Sequence, residues 1–320
     1  MTRARPIQLV LATGHHARAR PLWEGRVKSR KLKLRVFPFG NDGERHRRFL
    51  RGEFDAAEFS LALYVALKSR GAPLAAIPVF PNRKFRHSYI FVRKDSSLRD
   101  PAELKGKVIG IPAYLNTCGL WVRGLLGDEY GVRAQDVIWK ALKKETVPIT
   151  LPQGTRLELL SGKAALHARL LAGELDAIVV PDIPEGDGVR PLLSGSKEIE
   201  QDYYRRTQIF PTSHAVVIRK SFLKKNPSAA EELFRLWSEA KKLALEDDED
   251  PTFSNFAWVR GLWEEQREIL GPDPWRYGIS GNERVIEALI RYAAEQGISE
   301  GKVSVDNLFL DVRSRRGLIF

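Results

Sequence analysis

Polar residues capable of acid–base and carboxylate chemistry fall into four short groups along this sequence. These groups are Glu58 with Ser60, Arg86-His87-Ser88, Tyr114 with Asn116 and Thr117, and Ser213-His214. An arginine can hold a carboxylate through two parallel hydrogen bonds, and a histidine exchanges protons near neutral pH. Together these residue types predict a site that binds an anion and moves a proton.

Each group also has a purely structural interpretation. An Arg-His pair before a strand is typical of a solvated loop, Thr117 is typical of a helix N-cap, and Glu58 can close a buried hydrogen-bond network. In the functional interpretation, Thr117 and the free N–H groups of its helix attract an anion. The sequence pattern leaves both interpretations open.

The elements that would position these groups alternate between strands and helices. Apolar runs predict strands at 6–12, 32–37, 53–60, 74–79, 89–92, 107–111, 137–140, 177–180 and 215–219. Helical spacing and capping residues predict helices at 44–51, 61–69, 117–126, 162–172 and 197–206, from 226 onward to an acidic break at 247–250, and from an Asn282 cap to about 296. Asp100 and Pro101 predict the start of a short helix to Leu104. This alternation predicts an α/β protein.

A short internal repeat indicates two lobes of one design. Residues 50–56 (LRGEFDA) are echoed by residues 171–177 (LAGELDA), and in both a helix ends at glycine before an apolar strand. At 320 residues the chain also exceeds the usual size of a single core. We predict that lobe 1 comprises residues 1–97 and 212–320, with the strands at 74–79 and 89–92 completing its first half. Lobe 2 is predicted at 98–211, with a ligand cleft between the lobes.

Composition limits the classes of partner. The net charge is +12, and residues 1–50 hold 13 Lys and Arg against 3 Asp and Glu. These charges alternate with apolar positions, as on a solvated strand face, and we expect no nucleic-acid partner but an attraction for small anions. No apolar run reaches the length of a membrane span. Because the chain has one cysteine and no secretory leader pattern, we expect a cytoplasmic protein.

No cofactor motif occurs in the sequence. Glycine-rich nucleotide loops, a nucleophile elbow and a His-Glu-x-x-His motif are all absent. His15-His16 resembles a metal pair, but neighbouring strand residues point to opposite faces, and we assign no metal ligand. Cys118 at a helix start is interpreted as a small buried hydrophobe.

Several motifs together resemble a known family. Residues 98–107 (LRDPAELKGK) are similar to the lobe-to-lobe connection of type II periplasmic binding proteins. More specific are 85–88 (FRHS), Phe210-Pro211 with His214, 274–278 (PWRYG) through Asn282, 295–298 (EQGI) and Leu308-Phe309. These resemble the 4,5-dihydroxyphthalate decarboxylase family, which is built on that binding-protein fold.

The resemblance implies a carboxy-lyase with a type II periplasmic-binding-protein-like fold. It implies non-oxidative decarboxylation of a hydroxylated aromatic acid, 4,5-dihydroxyphthalate, to protocatechuate and carbon dioxide. No organic cofactor is expected, and a requirement for a divalent metal is left open. Arg86 would hold the retained carboxylate, and His87 or His214 would transfer the proton. Substrate-binding roles fall to Glu58, Ser60, Ser88, Tyr114, Asn116, Thr117 and Ser213. A homo-oligomer is compatible with this interpretation.

Two alternatives use the same fold. The first is a solute-binding protein that feeds an ABC transporter, against which the missing leader argues. The second is an enzyme or sensor for another small aromatic carboxylate, and the sequence does not separate it from the decarboxylase.

Overall fold

The computed structural model describes residues 5–184, 186–250, 252, 254–301 and 303–312. The strands in these ranges are β1 (Ile7–Gly14), β2 (Leu32–Phe39), β3 (Ala56–Ser60), β4 (Leu74–Ile77), β5 (Ile90–Arg93), β6 (Val108–Ile111), β7 (Ile138–Ala141), β8 (Arg156–Leu159), β9 (Ala177–Val179), β10 (Val189–Pro191) and β11 (His214–Arg219). The α-helices are α1 (Arg20–Trp23), α2 (Asp42–Leu50), α3 (Leu61–Ser69), α4 (Thr117–Tyr130), α5 (Leu166–Leu171), α6 (Ser196–Thr207), α7 (Lys220–Lys225), α8 (Ala229–Glu249), α9 (Val259–Leu270), α10 (Glu283–Glu295) and α11 (Val305–Leu308). None of these helices is long and apolar enough to cross a bilayer.

Two mixed sheets form the centres of two lobes. The first has the strand order β2-β1-β3-β11-β4, in which β11 runs antiparallel to both neighbours. The second has the order β10-β5-β9-β6-β7-β8, in which β5 runs antiparallel to β9. The remaining pairs around β1 and β6 are parallel. Each sheet therefore contains one antiparallel strand that follows a crossing from the other lobe.

The internal repeat corresponds to one structural device in each lobe. Gly52 and Gly173 leave their helices with φ of 94° and 77°, a conformation that favours glycine. The Asp55 carboxylate then accepts a hydrogen bond from the Val10 amide at 2.9 Å, and the Asp176 carboxylate accepts one from the Val108 amide at 2.8 Å. Both aspartates thus fix the register of the returning strand, β3 or β9, on the parallel strand next to it, β1 or β6.

The strand predicted at 89–92 lies in the second sheet, so its assignment to the first lobe was wrong. β5 pairs with β9 through Ile90 and Val179, and with β10 on its other side. Its sequence is apolar and carries no mark of the sheet it joins, because its partners lie about 90 to 100 residues further along the chain. The crossing therefore lies upstream of β5, and the predicted lobe boundary at residue 97 is too late.

Further elements differ from the sequence prediction. β8 lies in a segment for which no element was predicted, because its four largely exposed residues, RLEL, give a weak strand signal at the edge of the sheet. Helix α8 continues through the acidic run to Glu249, where the carboxylates are partly or fully exposed and Asp247 pairs with Arg26. The short helix after Asp100 forms as a 3-10 turn, Pro101–Leu104, with Asp100 as its N-cap.

The two chain segments that cross between the sheets, residues 82–84 and 210–213, run side by side. The Lys84 amide donates a hydrogen bond to the Pro211 carbonyl at 3.1 Å, and the Ser213 amide donates one to the Asn82 carbonyl at 2.8 Å. Buried Arg83 donates to the carbonyl of Phe210 and to the side chain of Asn282. Asn282 therefore links the C-terminal helices to the crossing. It is the N-cap residue of α10, as predicted, but its side chain makes no capping hydrogen bond.

Replacing Asp55 or Asp176 with alanine should destabilise the protein by similar amounts. Each change leaves a strand N–H without its charged acceptor, at a cost of about 1–3 kcal/mol. Urea unfolding of Asp55→Ala and Asp176→Ala measures this cost, and Asp55→Asn and Asp176→Asn, which keep an acceptor oxygen, serve as controls. Wild-type stability in either alanine variant would contradict the role given to that aspartate.

Candidate active site

A cavity of about 660 Å³ lies between the two sheets, and we call it the interlobe cavity. Its walls follow the carboxyl ends of β2, β3, β6, β7 and β9 and the amino end of antiparallel β11. This is the edge at which open α/β sheets bind ligands. Of the sequence-predicted site residues, it brings together Ser60, Arg86, Asn116, Thr117, Ser213 and His214.

The Glu58 carboxylate lies directly beneath this wall and is fully buried. It accepts hydrogen bonds from the Gly14 amide at 2.7 Å, from Nε2 of His16 at 2.9 Å and from Nδ1 of His214 at 2.8 Å. The Arg45 guanidinium lies 3.9 Å away. Burial by itself would raise the pKa of Glu58, but the charges of His16 and Arg45 and these hydrogen bonds hold it well below its ordinary value.

Glu58 fixes the tautomer of His214. Because an ionised carboxylate only accepts hydrogen bonds, Nδ1 of His214 must carry a proton. Nε2 then faces the cavity wall, where Asp42 Oδ2 lies 3.6 Å away. This carboxylate–imidazole pair is the arrangement that orients a histidine for proton transfer.

Arg86 presents hydrogen-bonding capacity that the described protein does not use. It is 4% exposed, and one guanidinium nitrogen donates to Ser213 Oγ at 2.5 Å. Its Nε and Nη1 atoms are buried and have no partner among the described residues. The guanidinium also lies over the Tyr89 ring, 4.9 Å from its centroid. A buried positive charge without a carboxylate partner is costly, and an anion in the cavity that Arg86 lines would compensate it.

Ser60 and Thr117 join the two lobes across the cavity floor. Their hydroxyl groups are 2.8 Å apart, and Thr117 Oγ1 also accepts the Ala62 amide. Asn116, rather than Thr117, is the N-cap of α4, because its side chain accepts from the amides of Cys118 and Gly119. Asn116 thus occupies two N–H groups at the helix start, and the positive end of the α4 dipole lies at the cavity wall.

Four of the predicted site residues lie off the cavity wall. Glu58 lies behind His214, as described. His87 packs against Tyr203, Ser88 donates to Glu200, and Tyr114 is buried against Arg123. Burial lowers the pKa of His87 to about 4. These three residues contribute to the second lobe and its crossing, where a substrate in the cavity would not touch them.

Several charged residues on the cavity wall were not predicted from the sequence. They are Asp42, His46 and Arg47 after β2, Lys84 in the crossing, Lys143, Lys144 and Glu145 after β7, and Asp182 after β9. Basic groups outnumber acidic ones, which favours an anionic ligand. Ser60 and Thr117 were predicted because ligands bind beyond the ends of strands. The same criterion, applied to β2 and β7, would have identified most of these residues too.

The His15 and His16 side chains have separate surroundings. His15 stacks on Trp23 with ring centroids 5.2 Å apart, whereas His16 turns inward to Glu58. Within the part of the chain that the structure describes, no group of three or more His, Cys, Asp or Glu residues could hold a metal ion. Cys118 is buried as predicted.

Comparison with known proteins gives two curated relatives. The chain is 30% identical to 4,5-dihydroxyphthalate decarboxylase of Comamonas testosteroni over 318 residues, which cover 95% of this chain and 96% of that protein. It is 34% identical to the Pseudomonas putida protein of the same name over 186 residues, covering 56% and 72%. A family model described as a phosphonate ABC transporter periplasmic substrate-binding protein matches residues 28–180.

Solved structures share the architecture. A protein from Bordetella bronchiseptica aligns with a TM-score of 0.53 and 15% identity, over 95% of each chain. The ligand-binding component of an ABC-type import system from Staphylococcus aureus aligns with a TM-score of 0.52 and 13% identity, over 95% of this chain and 96% of that one. The fold is therefore the two-lobe α/β fold of type II periplasmic binding proteins, as the sequence predicted. Within that fold, the chain belongs to the 4,5-dihydroxyphthalate decarboxylase family.

Replacing Glu58 with glutamine should destabilise the protein in a pH-dependent way. A group whose native pKa is lowered stabilises the fold above its ordinary pKa of 4.5, and this stabilisation is lost as the pH falls through the lower native pKa. We expect Glu58→Gln to cost about 1–3 kcal/mol near pH 5 and the difference from wild type to shrink below pH 4.5.

Urea unfolding of both proteins across this acidic range measures the difference. Glu287→Gln, at an exposed position on α10, is the matched control and should show almost no difference at any pH. A Glu58→Gln difference that widens towards low pH would contradict an ionised Glu58.

Proposed function

We propose that this chain is a carboxy-lyase that decarboxylates 4,5-dihydroxyphthalate to protocatechuate and carbon dioxide without oxidation. The observation that carries the proposal is the pairing, on one cavity wall, of a buried Arg86 with unused donors and a His214–Glu58 dyad. The first suits a carboxylate and the second suits proton transfer. Membership of the decarboxylase family supplies the substrate.

The two adjacent carboxylates of the substrate would bind at neighbouring parts of the cavity wall. Arg86 and Ser213 bind the retained carboxylate, because both line the cavity and Arg86 carries a buried positive charge. Thr117 and the N-terminal end of α4 lie near the departing carboxylate. Lys143 and Lys144, which line the same cavity, add positive charge. The ring is thus held with its phenols towards β2 and β3, where Ser60 can orient them.

Loss of carbon dioxide requires a proton on the ring carbon that carries the departing carboxylate. Electron density flows from the phenol para to that carbon, and protonated His214 delivers its Nε2 proton there. The phenol becomes strongly acidic as the carbon is protonated, so Asp42 can accept its proton. The resulting dienone breaks its bond to the carboxylate, the electron pair restores the aromatic ring, and the phenol regains its proton. His214 is reprotonated from water.

Glu58 supports this cycle without touching the ring. Its negative charge stabilises the His214 imidazolium, and its hydrogen bond to Nδ1 keeps Nε2 directed at the cavity wall. This sequence of steps uses side chains alone, and the proposal includes no organic cofactor. The single cysteine supports a cytoplasmic location.

A binding-only protein is the second candidate, and the match of residues 28–180 to a periplasmic substrate-binding family favours it. Such a protein needs Arg86 and the basic wall, but it has no use for a histidine held by a buried carboxylate. Turnover is the property that separates the two functions.

The proposal is tested by incubating purified protein with 4,5-dihydroxyphthalate, with and without a chelator, and following protocatechuate by chromatography. Product formation in both samples is the expected result. Loss of product with the chelator would require a metal in the mechanism. If no product forms but the compound raises the melting temperature, the binding-only function replaces the enzyme, and if neither occurs the substrate is wrong.

Changing His214 to asparagine should abolish turnover while leaving the fold intact. The asparagine amide can still donate to Glu58 from a position close to Nδ1, but Nε2 is lost. We expect kcat to fall by about 100- to 10,000-fold, the usual contribution of a general acid or base.

His87→Phe is the matched comparison, since both ring nitrogens of His87 lack partners among the described residues and phenylalanine preserves the packing on Tyr203. Full activity is expected for this variant. The assignment to His214 fails if His87→Phe is inactive and His214→Asn retains wild-type kcat.

Changing Arg86 to methionine should mainly weaken substrate binding. Removal of charged hydrogen bonds worth about 1.5–3 kcal/mol lowers kcat/KM by roughly 10- to 150-fold. Arg86→Lys keeps the charge but not the planar donor group and should lie in between. Arg93→Met, at an exposed position outside the cavity, is the control. An unchanged KM in Arg86→Met would place the carboxylate elsewhere.

A further inference from the structure

A second histidine lies on the cavity wall beside His214. His46 lies on α2, and its ring packs edge-on against Phe59, with ring centroids 4.8 Å apart. Its centroid is 5.5 Å from that of His214, with an interplanar angle of 87°. It lines the interlobe cavity together with Ser60. None of the steps above uses His46.

The backbone determines which nitrogen of His46 carries a proton. The Ser60 amide lies 3.2 Å from Nε2 of His46. A backbone N–H can only donate, so Nε2 must present its lone pair. A neutral imidazole carries one N–H, and that proton must be on Nδ1.

Nδ1 of His46 is left available to a ligand. It has no acceptor among the described residues, and it is not among the buried polar atoms without partners. Nδ1 is thus accessible and unpaired, and because His46 lines the interlobe cavity, a ligand there can reach it. Its N–H is therefore a donor without an acceptor.

The surroundings also keep this ring neutral. Burial lowers the pKa of His46 well below its ordinary value, and the nearby positive charges of His214 and Arg45 act in the same direction, opposed only by Glu58. A second proton would have to sit on Nε2, where it would meet the Ser60 amide proton. The ring therefore stays a neutral donor while His214 gains and loses its proton.

We infer that His46 is a catalytic residue whose neutral Nδ1–H donates a hydrogen bond to the phenolic oxygen that becomes a carbonyl during decarboxylation. The inference rests on the proposed function and extends it. A neutral donor stabilises a developing oxyanion or carbonyl without giving up its proton. No bond to hydrogen breaks at His46, and the phenol proton passes to Asp42 as described above.

The two histidines thus have different roles on one cavity wall, although each carries its proton on Nδ1. Glu58, an obligate acceptor, places the proton of His214 on Nδ1 and leaves Nε2 to exchange protons with the substrate. The Ser60 amide, an obligate donor, leaves the proton of His46 on Nδ1, towards the cavity. One ring transfers protons, and the other holds an oxygen in place.

Long-range ¹H–¹⁵N NMR of the full-length protein tests the tautomer without any substrate. The His46 signals are assigned by their absence in His46→Gln. We expect a neutral ring protonated on Nδ1 that does not titrate between about pH 5.5 and about pH 8, the range in which an unperturbed histidine does. A ring protonated on Nε2, or one that titrates within this range, would overturn the inference.

Two substitutions separate catalysis from structural support. Glutamine places its amide near Nε2 and can still accept from Ser60, but it has no donor at the position of Nδ1. Asparagine places a donor near Nδ1 but leaves Ser60 unpaired. We expect His46→Gln to lower kcat about 100-fold, the effect of losing one oxyanion donor, and His46→Asn to be the more active variant.

The reverse order, with His46→Gln more active than His46→Asn, would mean that His46 only supports Ser60 and would overturn the catalytic role. Both variants are compared for melting temperature, and kcat is compared at saturating substrate. The NMR result does not depend on turnover. If the wild-type protein fails to decarboxylate, that failure concerns the proposed function and is distinguishable from a wrong tautomer for His46.

Discussion

The buried Glu58 carboxylate is the constraint on which the rest of the site depends. An ionised group removed from water must be compensated by charge and hydrogen bonds, and here the compensation comes from several parts of the chain. Gly14 ends β1 and His16 follows it, Arg45 lies on α2, and His214 opens β11. Satisfying one carboxylate therefore positions the first lobe's cavity wall and sets the tautomer of His214.

Much of this arrangement could be predicted from local sequence. Polar residues at strand ends marked Ser60, Thr117 and Ser213-His214, because parallel strands in one sheet end at a common edge. The repeated glycine and aspartate predicted two similar lobes, and Asp55 and Asp176 make matching bonds in the structure. These signals are local patterns of residue type at strand and helix ends, and for that reason they could be interpreted without coordinates.

Other features depend on contacts that local sequence does not encode. Arg86 and His87 are neighbours in the chain, yet a 3-10 turn at His87–Tyr89 directs one towards the cavity and the other against Tyr203. β5 resembles a strand of either sheet, and only its pairing with β9 decides between them. His46 carries no recognisable motif, and its importance arises from the Ser60 amide, which is 14 residues away in sequence but adjacent in space.

The position of the acid–base pair also indicates how a binding fold can support catalysis. A receptor cleft already provides a buried cation for an anionic ligand, a helix N-terminus and two lobes that enclose it. Such a cleft binds a carboxylate equally well before and after reaction, and binding alone does not accelerate bond cleavage. Acceleration requires a group that acts only as charge moves. In the proposed mechanism His214 meets that requirement, because it gives up its proton as the ring carbon is protonated, whereas Arg86 carries the same charge throughout. Under that proposal, the step from binding to catalysis lies in the Glu58–His214 pair.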